Sequence, residues 1–288
     1  MTGLKYTLLF LLFALIAAKG NLDWVGFRFS LGGIKKSFGH IPSGSEWVSN
    51  LKKFKKHFDS GATPVVITIV SYYDDGGKMV FGFPKPSGAK SSKYIEYDDE
   101  DKYEKILKTF DNEGIKVWLQ VEPGNNDLVE LAKIVYKKYG KHKCVQGFGI
   151  DLEWWKPEGK GGKGSKISDK DAKKVVEYVR RQNSKHTVFI KHWETSYMPP
   201  KERDGLIFVN DSQGFDGLSD AQKQFQKWAK KFNSIPVMFQ IGYDADSSIW
   251  KKDPVNFAKK ILDSASKENN HIGIIWVDFT LKKALSKM

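Results

Sequence analysis

The sequence predicts an α/β protein, a single (β/α)8 TIM barrel. Three observations carry this: eight strand-like apolar runs, amphipathic helical stretches between them, and acids and aromatics recurring where the runs end. The runs are Val25–Phe29, Val65–Val70, Lys116–Val121, Gln146–Asp151, Thr187–His192, Leu206–Asn210, Val237–Gly242 and Gly273–Asp278. Between the first two, Glu46–Phe58 sets Trp47, Val48, Leu51, Phe54 and Phe58 on one helical face. Helical patterns follow at Asp101–Phe110, Asp127–Tyr139, Asp169–Arg181 and Ala221–Phe232. Asp253-Pro254 opens another helix with an N-cap and a first-turn proline, and Leu281–Lys287 makes a short terminal one. After the fifth strand, Met198-Pro199-Pro200 argues for a turn and only a helical stub over Pro199–Asp204. An open doubly wound sheet is the competitor, but no Gly-rich dinucleotide loop follows the first strand.

The first twenty residues read as a secretory leader. Lys5 precedes an apolar run from Leu8 to Ala18, with a cleavage site near Ala18 to Gly20. The run is short for a membrane span, and no later segment is long and apolar enough to be one. A secreted, extracellular or lumenal protein is expected, with residues 21–288 as one barrel domain and a monomer as its state. The single cysteine, Cys144, allows no intramolecular disulfide and reads as a small packed residue before a buried strand.

The formal net charge is +13, mostly lysine scattered over helical stretches. Solvated helix faces account for it; an anionic cell-wall surface is the functional alternative. Nucleic acid is not an expected partner, because no recognised binding motif accompanies the charge. The segment Gly159–Lys166, GKGGKGSK, has its Lys-Ser ending out of register for a phosphate loop and reads as a flexible loop.

The stretch Val145–Glu153, VQGFGIDLE, carries the chemistry. Its small and apolar residues suit a strand buried on both faces. Asp151 and Glu153 end it two positions apart, on one side of an extended chain, and Trp154 and Trp155 follow. In a barrel, reactive groups gather at the C-terminal strand ends. Those ends also hold Gln120 and Glu122, His192 and Trp193, Asn210 and Asp211, Tyr243, and Trp276 with Asp278. Together they describe an acidic, aromatic-lined cleft on a basic protein. Aromatic faces stack sugar rings while carboxylates and amides take their hydroxyls. No HExxH, paired cysteine or GxSxG elbow is present, so neither a metal, another cofactor nor a serine nucleophile is expected.

Gln146-Gly147-Phe148-Gly149-Ile150-Asp151-Leu152-Glu153 resembles the strand-four signature DGxDxDxE of chitinase-like family 18 glycoside hydrolases. It keeps the first Gly and the final D-x-E, with Gln146 and Gly149 where that pattern has Asp. Gly273-Ile274-Ile275-Trp276 resembles the closing strand, whose Trp floors a sugar subsite. The resemblance implies Glu153 as general acid and Asp151 as its partner, orienting a 2-acetamido group that attacks the anomeric carbon. The family's strand-three Ser-x-Gly-Gly is Gln120-Val121-Glu122-Pro123 here. Its strand-six Tyr-Asp/Asn is replaced by Val209-Asn210-Asp211, while Tyr243-Asp244 has those letters one strand later. The D-x-E ending is also similar to family 25 lysozymes, but Phe27-Arg28-Phe29-Ser30 stands where an early Asp would be.

The expected function is thus a secreted glycoside hydrolase cleaving a structural polysaccharide, chitin-like or peptidoglycan-like. A non-catalytic, lectin-like barrel is the alternative. Asp151 and Glu153 also have a purely structural reading, as a cap or as ion pairs with loop lysines such as Lys156. Asn210-Asp211-Ser212 is a glycosylation sequon expected to stay unmodified, since a glycan there would block the mouth.

Overall fold

The eight apolar runs become the staves of a closed parallel barrel in the computed structural model, which describes residues 21–59, 61–74, 78–157 and 162–288. The expected leader lies outside the described residues. The strands are β1 (Asn21–Phe29), β2 (Thr63–Ile69), β3 (Lys116–Val121), β4 (Val145–Asp151), β5 (Thr187–Lys191), β6 (Leu206–Asn210), β7 (Val237–Ile241) and β8 (His271–Trp276). Neighbours in sequence are neighbours in space, and β8 closes on β1 with Trp276 opposite Phe27.

Helices α1 (Leu31–Phe38), α2 (Gly44–Lys55), α3 (Glu104–Glu113), α4 (Leu128–Tyr139), α5 (Asp169–Gln182) and α6 (Leu218–Lys231) come first. Then follow α7 (Ser247–Trp250), α8 (Pro254–Ala265) and α9 (Leu281–Leu285). Local chemistry sets their starts. Asp127 accepts hydrogen bonds from Val129 and Glu130 N–H at the head of α4, and Asp253 accepts from Asn256 before Pro254 opens α8. The helix faces bury Trp47, Leu51, Phe54, Phe225, Trp228 and Ile261 against the outer side of the staves.

No helix forms over Pro199–Asp204; the segment after β5 makes only a short 3-10 turn at Thr195–Tyr197. Neither proline can donate a backbone hydrogen bond. The Arg203 guanidinium instead satisfies the carbonyls of Pro199 and Pro200, at 2.7 and 3.1 Å. Beyond β2, a feature not read from the sequence appears: a small sheet of Ser71–Tyr73, Met79–Phe81 and Ile95–Tyr97. Strand ends shift by a few residues: β1 starts at Asn21 rather than Val25, and β8 stops at Trp276 rather than Asp278.

Alternation along the staves divides the core in two. Even-numbered residues of β8 and odd-numbered residues of β1, such as Trp276 and Phe27, pack outward under the helices. The inner side is plugged by Trp24, Val65, Ile67, Trp118, Phe189, Ile207, Val209, Met238 and Ile275. Above this apolar plug, toward the C-terminal strand ends, the inward positions turn polar. Cys144 is buried just before β4, its thiol donating to the Leu107 carbonyl at 3.6 Å and pushed well up by burial, so it packs rather than reacts. Among the described residues, no helix is long and apolar enough to cross a membrane.

Candidate active site at the barrel mouth

Inward alternation carries Gln120 and Glu122 from β3, Asp151 from β4, Lys191 from β5 and Gln240 from β7 to one polar layer, joined by Arg28 of β1 and by Asp211, which follows β6. Asp151, Lys191, Asp211, Gln120 and Gln240 are buried. At the centre stands Lys191. Its ammonium lies 2.6 Å from Asp151 Oδ2 and 3.1 Å from Asp211 Oδ2, and the two carboxylates hold its pKa well above the ordinary value despite burial. Gln120 Nε2 donates to the same Asp151 oxygen at 3.3 Å.

Glu153 lies in a 3-10 turn directly after β4, half-buried, with its backbone N–H donating to Asp151 Oδ1 at 3.3 Å. Asp151 therefore does cap this turn, as the structural reading of the pair required. Its cation comes from β5, however, not from the following loop: Lys156 lies over the Trp155 ring at 4.6 Å. Carboxylate oxygens of Asp151, Glu153 and Asp211 all lie within 4.8 Å of one another. The Lys191 ammonium already sits against two of them, so this acidic set is built around an organic cation.

The Glu153 carboxyl makes no ion pair or hydrogen bond among the described residues. Burial, and next the charge of Asp151, push it up to about 7. Burial and Asp151 likewise push Glu122 up to about 8, although Tyr73 N–H donates to it at 3.1 Å. Burial raises Asp151 from its ordinary 3.8, opposed by Lys191. Protons in this cluster therefore belong on the two glutamates, because the cation is committed to the aspartates.

Arg28, mostly buried, is the second cation of the layer. It grips Asp278 through Nη2 at 2.6 Å and Nε at 3.0 Å, and Ser30 N–H donates to the other oxygen at 2.5 Å. Asp278 is thus a clasp between the ends of β8 and β1, fully buried, and offers no free oxygen to a substrate. Gly33 makes room for it, since a Cβ there would meet the carboxylate at 2.5 Å.

Three other expected binding residues also change role. Trp276 points outward, fully buried against Phe54 and Trp250, with its indole N–H on Thr280 Oγ1. It floors no subsite. Asn210 also points outward, opposite Phe239 of β7, and is fully buried, which leaves no room for a glycan in the folded chain. His192 is buried with both ring nitrogens used: Glu194 N–H donates to Nδ1 at 2.8 Å, and Nε2 meets the Lys163 carbonyl at 3.0 Å. It is neutral, its pKa lowered by burial, and it supports Trp193, on whose ring it stacks at 4.1 Å.

Glu153, Trp193 and Asp211 do come together, in a cleft of about 460 Å³ extended by Ser212, Phe215 and Asp220. Trp154 does not line this cleft; it is half-buried, 5.9 Å from the Tyr73 ring. Tyr243 is buried at the same mouth, its hydroxyl bonded to Gln240 Nε2 and its pKa raised by burial and by Asp211. The Lys/Gly loop, described from Gly162 onward, packs beneath the site. Gly164 has φ 68° and lies where a Cβ would strike the Leu152 carbonyl at 1.7 Å, so this glycine lets the loop support the turn carrying Glu153.

One strand-four departure, Gly149, has a steric cause. A Cβ on Gly149 would lie 2.1 Å from the Phe189 ring, so no Asp fits there while Phe189 fills the barrel. Gly149→Asp is therefore expected to destabilise the fold by roughly 3 kcal/mol or more, from overpacking plus a buried charge. Thermal melts of this variant beside Gly149→Asp/Phe189→Ala check it; the double variant should melt higher than the single one.

The described chain is thus a (β/α)8 barrel with a carboxyl-rich mouth. In solved structures this fold is found in glycoside hydrolases. An endo-beta1,6-glucanase superposes with TM-score 0.53 at 8% identity, over 88% of this chain and 65% of that one. An FMN-binding beta-glucuronidase from Facaelibacterium prausnitzii superposes with TM-score 0.50 at 10% identity, over 89% of this chain and 38% of that one. A beta-1,4-D-mannanase from Cryptopygus antarcticus gives TM-score 0.48 at 12% identity, over 92% and 90% of the two chains. This chain spans about two fifths of the glucuronidase's length. No family model matches the sequence, and no curated protein matches it.

Proposed function

We propose that the chain is a secreted glycoside hydrolase of a structural polysaccharide, chitin-like or peptidoglycan-like, with Glu153 as general acid and Asp151 as its partner. One observation carries the reading. Glu153 lines the cleft with its carboxyl pushed up to about 7, beside an Asp151 whose charge is matched by Lys191. A general acid works best when its pKa lies near the working pH. Trp193 supplies flat apolar surface on the cleft wall, as sugar faces require.

Glu153 must carry its proton to act, and it loses it as pH rises through about 7. Turnover should therefore fall about tenfold per pH unit well above that point, while binding changes little. The test is incubation with chitin, peptidoglycan and β-glucan oligomers from pH 5 to 9. Turnover of any one, with that alkaline limb, supports the reading; no turnover of any opposes it. Turnover confined to sugars lacking an acetamido group would sink acetamido participation while leaving the hydrolase.

One observation favours the lectin-like alternative. Lys191 engages both Asp151 and Asp211, so neither aspartate is free of an ion pair to act as base or nucleophile. Tight oligomer binding without turnover at any pH would select it.

A further inference from the structure

At the end of the barrel opposite the mouth, side chains with metal-binding atoms meet between α3 and the turn that leads from α4 into β4. His142 and Cys144 sit in that turn, and Glu104 and Asp111 on α3. One ligand atom each from Asp111, His142 and Cys144 lies within 4.8 Å of the other two. The set joins a sulfur, an imidazole nitrogen and a carboxylate oxygen. Such a mixture selects zinc over magnesium or calcium, which prefer oxygen ligands throughout.

The surroundings suit a bound ion. His142 divides its ring between two carboxylates: Nδ1 is 2.7 Å from Asp111 Oδ2, and Nε2 is 3.3 Å from Glu104 Oε2. A ligating histidine gives its second N–H to a carboxylate, which fixes the ring and raises its basicity. Glu104 holds that place here and leaves Nδ1 for a cation. The Cys144 N–H donates to Asp111 Oδ1 at 2.7 Å, so the carboxylate is already oriented by the residue that carries the sulfur. The Cys144 carbonyl accepts from Val117 N–H of β3 at 2.8 Å, which sets that residue on the rigid edge of the barrel.

Only small movements are needed. With Zn–N and Zn–O bonds of about 2.0–2.2 Å in a tetrahedron, neighbouring N and O atoms stand about 3.3 Å apart, so Asp111 Oδ2 retreats from Nδ1 by roughly half an ångström. The Asp111 side chain is 19% exposed and that of Glu104 36%, which gives the ion a way in. The thiol's hydrogen bonds, to the Leu107 carbonyl at 3.6 Å and to Asp111, are those of a weak donor and are readily given up. Burial keeps this thiol from acting as a free nucleophile, whereas a coordinating metal takes the thiolate outright and releases its proton to solvent.

We propose that Asp111, His142 and Cys144 bind one zinc ion, with Glu104 hydrogen-bonded to the far side of the histidine and a water completing the tetrahedron. The ion ties α3 to the start of β4. It lies at the end of the barrel that serves stability, so it takes no part in any reaction at the mouth and is independent of the carbohydrate reading.

The experiment titrates the whole chain, reduced and stripped of metal, with cobalt(II) as a spectroscopic probe and then with zinc. Cobalt should raise a sulfur-to-cobalt charge-transfer band in the near ultraviolet and the intense visible bands of a tetrahedral ion. Zinc should abolish both, with a Kd of about 1 μM or tighter, and raise the melting temperature; magnesium and calcium should do neither. Cys144→Ser should lose the charge-transfer band. Glu104→Gln leaves all three ligands in place, so it should keep the band while weakening zinc by about 10- to 100-fold. A wild-type cobalt spectrum without the thiolate band, or a band that survives Cys144→Ser, would overturn the proposal. Cobalt held only by the carboxylates of the mouth gives no thiolate band and counts against it equally.

Discussion

Glu153→Gln is expected to cut turnover by a factor of about 10² to 10⁴ and to leave oligomer affinity within a few-fold of wild type. The amide keeps the shape of the side chain but carries no acidic proton. Glu153 forms no ion pair among the described residues, so its replacement breaks no salt link and should leave the melting temperature level or slightly raised. Losing a carboxyl whose ionised form is disfavoured by burial and by Asp151 costs the fold nothing at neutral pH. Steady-state turnover beside binding and a thermal melt checks all three. Equal turnover in variant and wild type would remove Glu153 from catalysis and return it to a structural part.

Lys191→Met should have the largest effect on stability. Its side chain is 4% exposed, and its ammonium lies against two aspartates that are themselves buried. Removing it leaves carboxylates without their cation in the barrel interior, a class of change that costs about 3–5 kcal/mol. For a chain of this size that corresponds to a drop of roughly 6–20 °C in melting temperature. The loss should shrink as pH falls, because Asp151, whose pKa burial raises, no longer needs the ammonium once protonated. It should also be partly recovered in Lys191→Met/Asp151→Asn, which lowers the unpaired charge. A melt unchanged at pH 7 would mean that the Lys191 bridge contributes nothing.

Much of this architecture was legible because its cause is local. Burial on both faces makes each stave a continuous apolar run, and caps such as Asp127 and Asp253 mark helix starts by chemistry within a turn. The convergence of Asp151 and Asp211 likewise follows from strand order and alternation, whereas Glu153 is brought to them by the 3-10 turn after β4, which the extended reading of the stretch did not include. What escaped was non-local. Lys191 reads as one more lysine in a lysine-rich chain, and only its inward place on a buried strand, one residue before His192, could have singled it out. Arg28 gave the same weak signal. Trp276, Asn210 and His192 stood at strand ends as expected, but two face the helix layer and the third spends both nitrogens on backbone. A strand end fixes height in the barrel; side is decided by one residue of register. The small sheet after β2 escaped because its three-residue strands are too short to show a period.

At neutral pH the proton of the barrel mouth should reside on Glu153. With side-chain carboxyls labelled with carbon-13, the Glu153 resonance, assigned by its loss in Glu153→Gln, can be followed from pH 3 to 10. The expected midpoint is about 7, set by burial and by the charge of Asp151. A midpoint near the ordinary 4.5 would contradict the account, because Glu153 would then be ionised at neutral pH and have no proton to give.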